Sequence, residues 1–211
     1  MSISFSDKFT QKSKPFLVKI ARLRQPERIE NLGAMWYHKR EGEVAALKIR
    51  IERAEEYSAR QLAAEMLADA VGSAPNDIPF YRGENGKPLT SLPLHFNCSH
   101  SGDFVVCAVG EKELGVDLEQ IRPVHPRLER ALTAAERRWL APLPQPEREE
   151  GFFRLWTLKE SWIKCRGGRL MEFRRAEFIL RGGEIVSAPP GFAFRFLPAP
   201  AGYVLAICER E

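Results

Sequence analysis

The stretch GVDLE, residues 115–119, sets two acids one residue apart inside an apolar run. Along a strand, alternate side chains leave by the same face, so Asp117 and Glu119 point one way while Val116 and Leu118 point the other. Adjacent like charges repel, and burying either costs several kcal/mol unless a cation or a donor lies beside it. Further on, WTLKESWIK (156–164) puts Glu160 and Lys164 one helical turn apart on one face. Two strand carboxylates and one helix carboxylate make an all-oxygen donor set of the kind Mg²⁺ takes, an ion that keeps several waters and completes its shell with substrate phosphates. Asp117, Glu119 and Glu160 are therefore the candidate metal ligands. Lys164 is placed to neutralise a phosphate that shares the ion, and Lys159, about 100° round the helix, is a second candidate.

Each of these features has an ordinary reading too. A Glu-x-x-x-Lys pair on a helix surface contributes only about 0.2–0.5 kcal/mol, and an acid pair on a strand is often a solvated edge. Weight comes from convergence with a third segment, NCSHSG (97–102), where Asn97, Ser99 and Ser101 alternate with Cys98 and His100 before a glycine turn. Ser99 and His100 offer hydroxyl and imidazole donors suited to phosphate. His38, His95 and His125 have no such context. GENGKP (83–88) is not a nucleotide-binding P-loop, because G-x-x-x-x-G-K-[ST] needs two more spacers and a hydroxyl after the lysine.

The elements that must position these residues follow from periodicity. Residues 14–24 alternate as a strand, with Phe16, Val18 and Ile20 on one face. A charge-dense helix is expected after Pro26, then a connection or strand around residues 44–51. From Arg53 to Val71, Ala59, Leu62, Met66 and Ala70 fall at helical spacing, and Gly72 closes the helix. Residues 73–93 are rich in Pro and Gly and read as loop with one short strand. Strands are expected at 94–101, 103–110 and 113–119. Thr133 and Glu136 form a capping-box pattern that opens a short helix ending before Pro142. Pro142, Pro144 and Pro146 mark a loop leading into a helix from about Gly151 to Arg166, closed by Gly167 and Gly168. Leu155, Leu158, Trp162 and Cys165 form its apolar face, and Trp156, Glu160 and Lys164 another. The tail reads as strands near 177–182, 183–188, 192–197 and 203–209.

Each half is thus a long helix with short antiparallel strands. GDFVVCAV (102–109) and GYVLAIC (202–208) echo one another as late strands of their halves. The expected fold class is α+β, a twice-repeated unit with the site at the join.

Composition limits the alternatives. With 44% apolar residues in 211, the chain supports a proper core. A formal charge of +4, with no block of five basic residues, does not mark a nucleic-acid binder but suits an anionic small molecule or an acidic protein. Cys98, Cys107, Cys165 and Cys208 show no C-x-x-C pairing, so they read as reduced packing residues and not zinc ligands. Without a secretory apolar stretch behind Met1 or a run long enough to span a membrane, the chain is expected to be cytoplasmic.

Taken together, GKP (86–88), FNCSHSG (96–102), GVDLE (115–119) and WTLKESWIK (156–164) resemble, in order and spacing, the 4′-phosphopantetheinyl transferases of the surfactin-synthetase activating type. The resemblance covers roughly residues 55–170 and does not extend to the first 50. It implies a pseudo-two-fold monomer with subdomains at 1–112 and 113–211, binding coenzyme A and Mg²⁺, or Mn²⁺ in its place, between them. The implied reaction moves the phosphopantetheine arm to a serine of an apo acyl or peptidyl carrier protein and releases adenosine 3′,5′-bisphosphate.

By position the resemblance makes Asp117, Glu119 and Glu160 metal ligands and sets Lys164 on a phosphate oxygen. Glu160 is also the candidate general base for the carrier serine, directly or through a water. His100 and Ser99 would meet the nucleotide's phosphates, Gly86, Lys87 and Pro88 would line the adenine pocket mainly through backbone, and Arg60 would bind the 3′-phosphate. Lys48 and Arg50 stay open as further 3′-phosphate partners. The segment from Leu140 to Glu150 is one candidate lip for the carrier. A metal-dependent nucleotide phosphohydrolase and a non-catalytic coenzyme A-binding protein are the competing readings.

Overall fold

The computed structural model describes residues 35–37 and 47–211. The expected strand at 14–24 and His38 lie outside them, as does most of the helix expected after Pro26; the described part of that helix, Met35–Tyr37, is strand. Four strands form one antiparallel sheet in the order β1 (Met35–Tyr37), β2 (Leu47–Arg53), β6 (Phe104–Gly110), β5 (His95–Ser101). Three form another, in the order β10 (Phe192–Leu197), β11 (Tyr203–Arg210), β7 (Leu114–Gln120). Two ribbons complete the strands: β3 (Phe80–Arg82) with β4 (Pro88–Thr90), and β8 (Ile179–Arg181) with β9 (Glu184–Ser187). The helices are α1 (Ala59–Val71), α2 (Ala134–Leu140) and α3 (Glu147–Arg166). Among the described residues no helix is long and apolar enough to cross a membrane.

Period-two patterning decides the layering. Ile49, Ile51, Val106 and Ala108 of the first sheet share a core with Leu114, Val116, Leu118, Leu205 and Ile207 of the second. The opposite face of the first sheet, with Val105, Cys107 and Val109, packs on Leu62, Ala63, Met66 and Leu67 of α1. The opposite face of the second, with Val204, Ala206 and Cys208, packs on Leu155, Leu158, Trp162 and Cys165 of α3. The order is helix, sheet, sheet, helix, which explains why all seven residues of β6 are buried. The apolar face expected for α3 is the one it buries. All four cysteines are free thiols.

Helix boundaries moved for physical reasons. β2 continues to Arg53, so α1 starts at Ala59, where Ser58 caps it in a reciprocal pair with Gln61. Ala70 shares the inward face but sits in the last turn and is exposed. The expected capping box holds at α2, with Thr133 accepting from Glu136 N and Glu136 accepting from Thr133 N. α3 starts at Glu147, four residues earlier than the prolines suggested. Glu147, Glu149 and Glu150 fill its first turn, where acids suit the helix dipole. Between them the expected proline loop holds over 141–146, so the stretch from Leu140 to Glu150 is a loop flanked by the end of α2 and the first turn of α3. The Pro/Gly-rich piece holds two short strands where one was expected.

One close approach sets the geometry of everything below. A Cβ on Gly115 would lie 2.1 Å from Ser161 O and 2.3 Å from Cys165 N, so the α3 backbone rests directly on β7. Gly115→Ala should push α3 off the sheet and cost about 1–3 kcal/mol or more. Denaturant melts read this as a lowered midpoint; an unchanged midpoint would mean the contact is not close-packed.

Candidate active site

β7 turns Gly115, Asp117 and Glu119 toward α3, while Val116 and Leu118 enter the core between the sheets. Because α3 sits so near, Asp117 is only 3% exposed. Its Oδ1 accepts from Lys164 Nζ at 2.6 Å and from Ser99 Oγ at 2.9 Å, and Lys164 Nζ also donates to Ser99 Oγ at 2.9 Å, closing a triangle. Its Oδ2 is buried with no hydrogen-bond partner. Glu119 Oε2 accepts from Ser101 Oγ at 3.1 Å and from Arg122 Nη1 at 2.9 Å. Glu160 lies half-buried one turn before Lys164 on α3.

Three electrostatic centres thus meet where β5, β7 and α3 converge. Burial, reinforced by the Asp117 and Glu119 charges and opposed by Lys164, pushes the Glu160 carboxyl up to about 7. Burial also raises Asp117 to about 6, against the opposing pull of Lys164 and the Ser99 hydrogen bond. Even so, among the described residues no three His, Cys, Asp or Glu side chains are gathered round one point as a metal ion would require. The donor set is chemically apt for a hard cation, and the unpartnered Asp117 Oδ2 is an open ligand position. Oδ1 is filled by the Lys164 ammonium.

The NCSHS alternation has a role that strand periodicity could show but donor chemistry hid. Asn97 Oδ1 accepts from Val116 N at 2.9 Å, Ser99 bonds Asp117, and Ser101 Oγ accepts from Gln120 N at 3.0 Å. β5 and β7 belong to different sheets, and these three side chains stitch them in place of a backbone ladder. Ser99, expected against nucleotide phosphates, is instead buried and holds Asp117 and Lys164. His100 is exposed and shares its strand face with Phe96 and Cys98.

That face borders a cavity of about 470 Å³, lined by Arg60, Phe80, Arg82, Pro88, Phe96 and Cys98 among others. The Arg60 guanidinium lies 4.7 Å from the Phe80 ring centroid. Two arginines beside aromatic walls suit an anionic, planar ligand. Pro88 lines this cavity, whereas Lys87 borders a neighbouring one of about 330 Å³. Lys87 Nζ donates to Cys165 O at 2.8 Å and to Leu114 O at 3.4 Å, and burial holds its pKa below the ordinary lysine value. The Gly86 carbonyl accepts from Arg82 Nη1 at 3.4 Å. Asn85 Nδ2 donates to Gly167 O, and Arg169 Nε donates to Asn85 Oδ1, each at 2.8 Å. Arg50 is engaged by Glu52 and Glu65.

Lys159 requires a correction. Its ammonium is fully buried, 2.9 Å from Glu136 Oε2, and donates to the carbonyls of Phe173 and Ala176. With Glu160 turned toward β7, the next face round the helix meets α2 and the 173–178 segment, so Lys159 fixes the core and does not reach a phosphate. Glu136, which the sequence reading used only as a capping residue, is its fully buried partner and also accepts from Phe178 N.

The sequence profile of the 4′-phosphopantetheinyl transferase superfamily matches residues 113–208. A 4′-phosphopantetheinyl transferase of Bacillus subtilis is 34% identical over 151 residues, 67% of each chain. The chain belongs to this superfamily. It is also 40% identical over 95 residues to the 4′-phosphopantetheinyl transferase gsp of Aneurinibacillus migulanus, covering 44% of this chain and 40% of that one. With 4′-phosphopantetheinyl transferase Sfp of Bacillus subtilis strain 168 it is 38% identical over 95 residues, covering 44% of this chain and 42% of Sfp. The chain therefore spans about two fifths of the length of these two relatives.

Lys159→Met should destabilise the protein by about 3–5 kcal/mol, because it strands the Glu136 charge in the core; a Glu136→Gln/Lys159→Met double variant should recover part of the loss in urea melts. A second expectation concerns pH. In chelator, the folded values near 6 and 7 for Asp117 and Glu160 exceed their ordinary values of 3.8 and 4.5, so their contribution to stability is complete below about pH 4 and is lost as pH rises through 7. The Tm of Glu160→Gln relative to the parent protein should accordingly rise between pH 4.5 and 8 in calorimetry. A flat difference would refute the raised carboxyl.

Proposed function

We propose that the chain transfers the 4′-phosphopantetheine arm of coenzyme A to a serine of an apo acyl or peptidyl carrier protein, releasing adenosine 3′,5′-bisphosphate. The reading rests on one observation above all: a buried aspartate, one oxygen on a lysine and the other open, lies beside a high-pKa glutamate and near an arginine-lined cavity. Family membership agrees with it. The two sheets also suggest the repeated unit, with subdomains 1–112 and 113–211, since the echoing strands β6 and β11 are each flanked by a strand on both sides. A cytoplasmic monomer is the form inferred.

In this reading Arg60 holds the 3′-phosphate and His100 a neighbouring phosphate, while Phe80 and Pro88 flank the base. Asp117, Glu119 and Glu160 would hold Mg²⁺ or Mn²⁺, which when bound neutralises diphosphate charge. Lys164, on a flexible stem, supplies a positive charge to the same oxygens. Glu160 accepts the serine proton, directly or through a water, and the metal it helps to hold tempers its basicity. Displacement at phosphorus needs positioning and charge neutralisation rather than a protein nucleophile, so Cys98 stays a packing residue.

The deciding experiment incubates the protein with coenzyme A, Mg²⁺ and a panel of fatty-acid, polyketide and peptide carriers, and weighs the products by mass spectrometry. Carrier gains the arm in the parent protein, and Asp117→Ala and Glu160→Ala lose at least about 10²-fold in rate while remaining folded. Hydrolysis of coenzyme A without a carrier would instead favour a phosphohydrolase, and binding without turnover a coenzyme A-binding protein.

A further inference from the structure

Of the charged side chains around the candidate centre, one holds a place where a metal would be expected. The Lys164 ammonium lies 2.6 Å from Asp117 Oδ1, against a carboxylate that is only 3% exposed. A carboxylate so deeply buried cannot stay ionised without a cation beside it. Lys164 is the partner the chain provides, and Ser99 bonds both members of the pair.

We propose that Lys164 is a resident counter-ion of Asp117 which a divalent cation displaces, so that metal entry and release of the ammonium toward the substrate's phosphate oxygens are one exchange. The inference rests on the transferase reading above. Several observations carry it. Lys164 engages only one Asp117 oxygen, leaving buried Oδ2 open as a second position. Its side chain is 27% exposed, so it has a route outward, unlike Lys159, which is fully buried and saturated. A compact point charge on four methylenes leaves one oxygen for another more readily than a bidentate guanidinium does. Arg122 performs no such exchange, because it pairs with Glu119 at the exposed rim of the site.

The exchange has a thermodynamic sign. Metal alone must expel the ammonium into water, whereas metal with a diphosphate gives it a new anion. The divalent ion should therefore bind weakly by itself, and removal of the ammonium should tighten that binding. The test titrates the full chelator-stripped chain with Mn²⁺ alone, reading free Mn²⁺ by electron paramagnetic resonance. Lys164→Met should bind Mn²⁺ about tenfold more tightly than the parent protein, while melting lower in chelator and gaining more in Tm from Mn²⁺. Affinity equal to or weaker than the parent's, or no Mn²⁺ binding by either protein, overturns the exchange and leaves the transferase reading to be decided by the carrier assay. A second measurement needs no variant. Acetic anhydride labelling of the parent protein, read by peptide mass spectrometry, should modify Lys164 several-fold faster when Mg²⁺ is present, with Lys159 unreactive throughout. An unchanged Lys164 rate also overturns the proposal.

Discussion

The contact of a helix backbone with a strand at Gly115 determines the rest of the site. With no side chain between them, α3 lies close enough to exclude water from the next inward-facing residue of β7, Asp117. Exclusion of water raises the carboxyl and creates the demand for a cation. The same closeness brings Lys164 within 2.6 Å and places Glu160 in the field of both β7 acids. The motif G-V-D-L-E therefore works as a unit: its glycine creates the environment that its aspartate needs to be unusual.

α3 carries two lysines, at 159 and 164, with opposite fates. Lys159 is locked by Glu136 and two carbonyls in a water-free core, where an ion pair is valuable for holding α2, α3 and the 173–178 segment in one arrangement. Lys164 keeps an exposed flank and a single carboxylate partner. Burial, more than residue type, separates a fixed structural charge from one that is free to work.

Much of this was legible in the residues. Strand alternation set Asp117 and Glu119 on one face, and helical spacing put Glu160 and Lys164 together, because both depend only on local geometry. The apolar faces of α3 and β7 followed by the same logic. Lys159 was misjudged because an angle of 100° round a helix says nothing about what packs there, and its partner Glu136 is distant in sequence. The inter-sheet bond of Ser99 was hidden for a related reason. Its hydroxyl suits a phosphate, yet β5 borders β7 across a gap between two sheets, and only that tertiary neighbour assigns Asn97, Ser99 and Ser101 to stitching. Capping glycines were visible, while the starts of α1 and α3 depended on where β2 ended and on how a proline sits before a helix.

The short hairpin of β3 and β4 is fastened at two ends. Arg82 and Pro88 form part of the wall of the larger cavity, while Asn85 and Lys87 grip the final turn of α3 through Gly167 and Cys165. It behaves as a strut between the ligand-sized hollow and the helix end that carries Lys164. The wall of that hollow and the closing turn of α3 are therefore held in register by one short hairpin, although no residue of α3 lines the larger cavity.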